Sequence, residues 1–446
     1  MNAWWTKYLP DIMGDWLKGR HDLQKTIGNT GWLLVDRILR IVIGLTIGAW
    51  LARYLGPAQF GQLAYVLSFI AFFQIIADLQ ADGFVVRDIA QERGDVSVIL
   101  GTTLSIRLIF GIAAWLCASG LMFLLHPKEQ ELFFLTVIIG GTMVFRASET
   151  VDLWFQSQSQ SKRTVAAKFV AYLFSNGVKV TLLLLKAPLV AFAGVMCLEC
   201  AATALGLATA YRRFPTPNRW KTTLKQAKTL LNLCWPFIAC GFMTTVFLRI
   251  DQIMIREMLG ERELGLFAAA LPISQALTVL PSTLIISLAP FVARKMGQDE
   301  RLYEDALVTI FRAFAILSLS GAAIIAFASP WLIRLMYGSQ YESSAVILSV
   351  HVFVNILIFQ GFAQELWVVN KNVRSVTLLS TFVAAVIGVA SNAILIRKFG
   401  ALGAVFSYML AQTASIVVIP CLLRRDLLDL YKRAFFGRTK QDVLIS

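Results

Sequence analysis

Apolar residues are gathered into twelve long runs that short polar segments separate. A helix needs roughly 20 apolar residues to cross the ~30 Å hydrocarbon core of a bilayer, and each run reaches that length. The pattern therefore predicts an all-α polytopic membrane protein with about twelve transmembrane helices. The predicted helices cover residues 31–53, 61–80, 98–125, 132–155, 165–185, 188–210, 230–256, 265–292, 306–328, 345–368, 375–396 and 401–423.

The first run, GWLLVDRILRIVIGLTIGAWLAR, is apolar on one helix face and charged on another. Arg37, Arg40, Gly44 and Gly48 recur at spacings of three and four, so they share a face. An Arg at the centre of a lone helix costs about 2.5–3.5 kcal/mol to insert. We interpret this face as the lining of an aqueous cavity. The alternative is a pair of arginines that snorkel to the membrane interface.

A basic segment divides the chain into two halves of six predicted helices. At matching points stand LGPAQFG (55–61) and LGERELG (259–265), which have an offset of 204 residues. Repeats of six helices would run parallel and be related by an axis along the membrane normal. The predicted domains are an N-terminal segment 1–30, a first lobe 31–210, a basic linker 211–229, a second lobe 230–423 and a basic tail 424–446.

Composition indicates the class of protein, and the distribution of charge predicts its orientation in the membrane. Apolar residues make up 57% of the chain and charged residues 15%, as in polytopic membrane proteins. The segments on the side of the termini hold 25 Lys and Arg residues, whereas the opposite loops hold 8. Because cytoplasmic loops carry the excess of basic residues, we expect both termini in the cytoplasm.

Eight basic residues remain inside the predicted helices, and we predict that they line a positively charged central cavity. Such a cavity attracts an anion, and Arg offers phosphate or pyrophosphate a bidentate fork. For each residue the alternative is a side chain that snorkels to the membrane interface or a local salt bridge. The cations are Arg37, Arg40, Arg107, Arg146, Lys168, Lys179, Arg249 and Arg312, and the embedded acids that are candidates for ion coupling are Asp36, Glu149, Asp251 and Glu365.

The fifth predicted helix carries a polar stripe of Lys168, Tyr172, Ser175 and Lys179, which we also expect to line the cavity. The loops contain no catalytic constellation, no phosphate-binding Gly run and no metal-ligand spacing. We therefore expect a protein that is not an enzyme and that needs neither a metal nor a cofactor.

Three segments resemble a known family. ARYLGPAQFGQLAYVLSFIAFFQIIADLQADGFVVRDIA (52–90) resembles the opening of bacterial polysaccharide exporters of the O-antigen flippase type. These belong to the multidrug/oligosaccharidyl-lipid/polysaccharide superfamily. RIDQIMIREMLGERELGLFAAA (249–270) is similar to the start of its second lobe, and NAILIRKFGALGAVFSYMLAQ (392–412) to its penultimate connection. The family's usual Pro near Arg397 is missing here.

The resemblance implies two six-helix lobes in a V-shaped transporter. It also implies a location in a bacterial inner membrane and alternating-access transport of undecaprenyl-pyrophosphate-linked oligosaccharide from its cytoplasmic to its periplasmic leaflet. Arg37, Arg40 and Arg249 would then lie near the pyrophosphate. Expected partners are this substrate, membrane lipids, a glycan polymerase and chain-length proteins, but not nucleic acid. The first alternative is a cation-coupled drug exporter, which would have an acidic cavity. A glycan polymerase or ligase would need a larger outer loop, and lipid II flippases usually have fourteen helices.

Overall fold

The computed structural model describes residues 21–158, 160–213 and 219–437, and it describes side chains from Leu39 onward. These residues form helices and short connections without a strand. The first half contains α1 His21–Asp78, α2 Asp82–Ala90, α3 Val96–Leu125, α4 Gln130–Gly140, α5 Thr142–Arg146, a 3₁₀ turn Ala147–Glu149, α6 Thr150–Ser157, α7 Lys162–Leu184 and α8 Leu189–Arg212.

The second half follows the basic linker and ends with a short helix beyond the last span. It contains α9 Leu224–Leu259, α10 Glu261–Ala276, α11 Val279–Met296, α12 Glu300–Tyr337, a 3₁₀ turn Ser339–Tyr341, α13 Ser344–His351, α14 Val354–Asn370, α15 Arg374–Phe399, α16 Ala401–Thr413, a π-helical turn Ala414–Val418, α17 Ile419–Leu423 and α18 Arg425–Phe436.

Eleven stretches of the described chain are long and apolar enough to cross a membrane. The first, Leu39–Ala90, has 52 residues, which would extend about 78 Å as one straight helix. Gly56 interrupts it with φ 75° and ψ 168°, a conformation that is essentially restricted to glycine. The stretch therefore contains two crossings on either side of Gly56, and the prediction of twelve membrane helices is confirmed.

The repeated Leu-Gly segments have the same local structure in both halves. Gly260 separates α9 from α10 with φ 94° and ψ 175°, which closely matches Gly56. The second glycines of the two segments then meet. A Cβ on Gly61 would lie 1.8 Å from the Glu261 carbonyl oxygen, and one on Gly265 would lie 1.8 Å from that of Pro57. Gly61 and Gly265 are 204 residues apart, as are Pro57 and Glu261, so the two contacts are equivalent under the sequence repeat. The halves therefore touch at these glycines about a pseudo-twofold axis.

The bundle has two ends, which we call the far end and the linker end. The far end carries the breaks at Gly56 and Gly260 and the connection between α3 and α4. The linker end carries Asp78, the start of α3, the end of α8 and the start of α9. Lys221 N–H donates to the Ser97 carbonyl oxygen over 3.1 Å, so the linker packs on the first turns of α3.

The C-terminal tail contains structure that the basic pattern of 424–446 did not predict. α18 is amphipathic, and it buries Leu427, Leu430 and Tyr431 in a cluster with α12. Arg433 forms ion pairs with Glu304 and Asp305 of α12, the second over 2.6 Å. Residues 438–446 lie outside the described part of the chain.

Candidate functional site

Four of the eight predicted cations face carboxylates on neighbouring elements of the first half. Because a charge is costly to move out of water, pairing with an acid is the usual way to keep it within a membrane helix. The shortest nitrogen–oxygen distances are 3.3 Å for Arg146–Asp78, 2.8 Å for Lys168–Asp152 and 3.3 Å for Lys179–Glu199, and Arg107 pairs with Asp82.

Two of these pairs line one polar cavity of about 200 Å³ near the linker end. Leu79 and Gln80 have left-handed φ values of 58° and 50°, so the chain turns sharply between α1 and α2. The turn places acids on both sides of Arg107, whose Nη2 also donates to the Asp78 carbonyl oxygen over 3.3 Å. The cavity is lined by Asp78, Gln80, Asp82, Gly83, Arg107, Arg146 and Glu149.

The cavity has three carboxylates and two guanidinium groups, so it is not a site of surplus positive charge. The Nε atoms of Arg107 and Arg146 are buried and have no hydrogen-bond partner among the described residues. Each guanidinium group therefore has at least one N–H donor that the described residues do not satisfy. Glu149, a candidate for ion coupling, lies here beside Arg146.

The polar stripe of α7 forms a seam with three other helices. Tyr172 donates its hydroxyl to the Arg40 carbonyl oxygen of α1 over 2.9 Å. Ser175 is fully buried and donates to Glu199 of α8 over 2.7 Å. Lys168 forms an ion pair with Asp152 of α6, and Lys179 forms one with Glu199 of α8. Every member of the stripe therefore contacts a neighbouring helix.

Arg40 lies at the edge of this seam. Its guanidinium carbon is 5.0 Å from the ring centroid of Tyr172 and 5.4 Å from that of Phe169, which are cation–π distances. The two rings hold a positive charge on the inner side of the first helix. The side chains of Asp36 and Arg37 lie outside the described part of the structure.

In the second half, α9 carries Arg249 and Asp251 on different faces. Arg249 is exposed and has no ion pair with another described residue. Asp251 is buried, and its Oδ1 accepts the Gln252 backbone N–H over 2.7 Å. The Gln252 side chain in turn accepts the Ser68 hydroxyl of α1 over 2.7 Å, so this segment of α9 joins the two halves.

Arg312 and Glu365 lie apart from these groups. Arg312 donates to the Ala434 and Arg433 carbonyl oxygens over 2.7 and 2.6 Å, which satisfies free carbonyl groups at the end of α18. This contact gives Arg312 a structural role that the sequence pattern did not indicate. Glu365 is exposed on α14 and has no ion pair within the described chain.

A charged network at the far end was not predicted. It consists of Tyr65, His126, Glu129, Arg256 and Glu257. Arg256 of the second half pairs with Glu129 of the first, and its guanidinium carbon lies 4.8 Å from the ring centroid of Tyr65. His126 Nε2 lies 3.3 Å from Glu257 and 3.0 Å from the Tyr65 hydroxyl. This far-end network connects the halves beside the Gly61–Gly265 contact.

In the sequence, Glu129 falls in the loop between the predicted helices 98–125 and 132–155, and Arg256 is the last residue of the predicted helix 230–256. Isolated charges are ordinary at both kinds of position. Only the position of Arg256, three residues before the second Leu-Gly segment, hinted that it lies at the end of the bundle where both segments are expected. At the linker end the halves make aromatic contacts instead, and the rings of Phe84 and Phe237 are 5.0 Å apart.

Comparisons with known proteins agree with this architecture. A family model described as "Polysaccharide biosynthesis protein" matches residues 27–296. No curated protein matches the sequence. An inward-facing multidrug resistance MATE family transporter of the MOP superfamily superposes with a TM-score of 0.69 at 15% identity, covering 90% of this chain and 99% of its own. The lipid II flippase MurJ in an inward closed conformation gives 0.70 at 11% identity, covering 90% of both chains.

A further solved structure has the same fold. An outward-facing MATE family transporter superposes with a lower TM-score of 0.59 at 15% identity, covering 90% of this chain and 95% of its own. The chain therefore has the fold of these transporters.

Proposed function

This chain belongs to the polysaccharide biosynthesis protein family, and from that membership we propose that it is a flippase for lipid-linked oligosaccharides. The substrate is an undecaprenyl-pyrophosphate-linked repeat unit that moves from the cytoplasmic to the periplasmic leaflet of a bacterial inner membrane. The family match over 27–296 carries the proposal. The transporter fold supports the movement of a substrate rather than its chemical conversion.

The proposed mechanism is alternating access by movement of the two halves. The excess of basic residues at the linker end favours a cytoplasmic location for that end, so the far end would face the periplasm. The far-end network and the Gly61–Gly265 contact support a starting state that is shut towards the periplasm. The substrate would enter from the linker end, and these contacts would separate for its release.

The proposed contacts to pyrophosphate rest on Arg40 and Arg249. Arg107, Arg146, Lys168 and Lys179 each face a carboxylate of the first half, and we assign these four residues a structural role. Arg40 lies against two aromatic rings that orient its guanidinium group, and Arg249 is exposed on α9. A guanidinium group binds phosphate oxygens in bidentate fashion, which Lys does not reproduce.

The experiment is complementation of surface-glycan export in a strain that lacks its own exporter. Lys, Ala and Glu variants of Arg40 and Arg249 are normalised to membrane abundance by immunoblot. A charge-assisted contact is worth about 1.5–3 kcal/mol, or roughly ten- to more than a hundredfold in affinity. We expect export per molecule to fall in the order wild type, Lys, Ala, Glu. Arg397→Ala, an exposed site at the end of α15, is the matched control and should export normally.

Full export by both Arg→Glu variants would contradict the pyrophosphate-binding role. Failure of the wild-type chain to export any glycan would instead contradict the proposed function. One observation favours the cation-coupled drug exporter as the second candidate: the cavity at Arg107 and Arg146 has more carboxylates than guanidinium groups. Resistance of the same strain to cationic drugs, lost in Glu149→Gln, would support that candidate.

A further inference from the structure

A long groove runs between α7 and α8 on the outside of the first half. Its volume is about 760 Å³, and small or apolar side chains line most of it. The two helices approach closely at its base, where a Cβ on Gly206 would lie 3.3 Å from the Ala167 Cβ. Val170 and Phe174 stand at its side with exposed fractions of 66% and 54%. The shape and lining suit a hydrocarbon chain.

The groove and the polar seam use different faces of α7. Residues 163, 167, 170 and 174 follow the spacing of three to four residues and therefore share a face. Lys168, Ser175 and Lys179 point away from that face towards acids on other helices. The groove thus faces the surrounding lipid, whereas the Arg40 side of α7 faces the interior of the protein.

Two arginines line the mouth of the groove at the linker end, namely Arg163 in the first turn of α7 and Arg213 directly after α8. Trp154, Tyr211 and Trp220 pack beside that end, and the Trp220 indole N–H donates to the Tyr211 hydroxyl over 2.7 Å. Amphipathic aromatic rings collect at the headgroup level of a bilayer. The mouth is therefore at the depth of lipid phosphates.

The length of the groove matches one leaflet. Arg163 and Phe174 are eleven residues apart on one helix, which corresponds to about 16 Å along its axis. Half of the ~30 Å hydrocarbon core is about the same distance. The groove thus begins at the headgroup level and ends near the middle of the bilayer.

We propose that this groove is a binding site for one anionic phospholipid of the leaflet at the linker end. Its phosphate contacts Arg163 and Arg213, and an acyl chain lies along Ala167, Val170 and Gly206. Basic pockets between transmembrane helices on the cytoplasmic side are a recurrent way to bind anionic headgroups. The site is separate from Arg40 and Arg249, so the lipid is a resident ligand that stabilises the packing of α7 on α8, and not the transported substrate.

Native mass spectrometry of the full chain in detergent tests the proposal, with phosphatidylglycerol and phosphatidylcholine of identical acyl chains as probes. We expect the wild type to bind phosphatidylglycerol at least about tenfold more tightly, as for a charge-assisted contact. R163Q/R213Q should lose that preference, whereas R163K/R213K should keep most of it because the positive charge remains. The matched control R294Q/R301Q removes two exposed arginines at the same end of the second half and should bind as the wild type does.

A second variant addresses the apolar part of the site. G206F places a large ring in the groove and should weaken binding of both phospholipids. The control G120F adds the same ring on an open face of α3 and should bind both phospholipids as the wild type does. The proposal would be overturned if R163Q/R213Q, although folded, preferred phosphatidylglycerol over phosphatidylcholine as strongly as the wild type does. So would selective binding of undecaprenyl phosphate over phosphatidylglycerol, because the occupant would then be a carrier lipid. Binding is measured without transport, so a failure of glycan export leaves this result intact.

Discussion

The contact between Gly61 and Gly265 makes a sharp prediction about which conformation the protein prefers. In Gly265→Ala, the new Cβ would lie 1.8 Å from the Pro57 carbonyl oxygen and 2.7 Å from its carbonyl carbon. Both are backbone atoms, so no side chain can rotate away. The backbones of α1 and α10 must separate by about 1.2 Å before the Cβ–O distance reaches the 3.0 Å below which real contacts essentially do not occur.

Such overpacking typically costs about 1–3 kcal/mol. The cost is incurred only when the halves touch at the far end, so it should shift the population towards states in which that end is open. A difference of about 1–3 kcal/mol corresponds to a shift of roughly 5- to 150-fold in that equilibrium. Gly120→Ala is the matched control, because it adds the same methyl group to a helix where nothing lies within 4 Å.

The assay places a reporter where the halves meet. Ser68 is fully buried and bonds to Gln252 of the second half, so Ser68→Cys should react with a membrane-impermeant maleimide only when the halves separate. The background lacks the six native cysteines. We expect Gly265→Ala to label at least several times faster than Gly120→Ala at equal membrane abundance. Equal labelling rates would refute the reasoning that this contact belongs to one conformational state.

Two further predictions concern contacts that the structure shows and the sequence did not predict. Arg256→Glu removes the ion pair with Glu129 at the far end and should therefore speed the labelling of Ser68→Cys. Adding Glu129→Arg restores a pair of opposite charges and should make labelling slow again. If the double variant still labels fast, direct pairing of these two residues is unimportant. Ser175→Cys should stay unreactive towards the same maleimide because Ser175 packs against Glu199, and rapid reaction there would show that the α7 stripe lines water instead.

The sequence by itself determined the number of membrane crossings and, for most of them, bounds within a few residues of those in the structure. The predicted run 98–125 became α3 Val96–Leu125, and 188–210 became α8 Leu189–Arg212. Apolar length is a property of each segment alone, and the bilayer sets one length for all of them, so tertiary contacts change these bounds little. The Leu-Gly repeat was also visible in the sequence. A backbone conformation that essentially only glycine adopts requires glycine at that position, whatever its tertiary contacts.

Tertiary structure alone decided what the embedded charges contact. Lys168 and Lys179 appeared in sequence as cations of a cavity, but each faces a carboxylate from a helix at least 16 residues away in the chain. Arg312 reaches the end of α18, 121 residues further on. The free energy of a charge in a membrane protein depends on its nearest partners, and those depend on which helices are neighbours. Periodicity within one helix identifies a polar face, but only the packing of the bundle determines whether water, substrate or another side chain covers it.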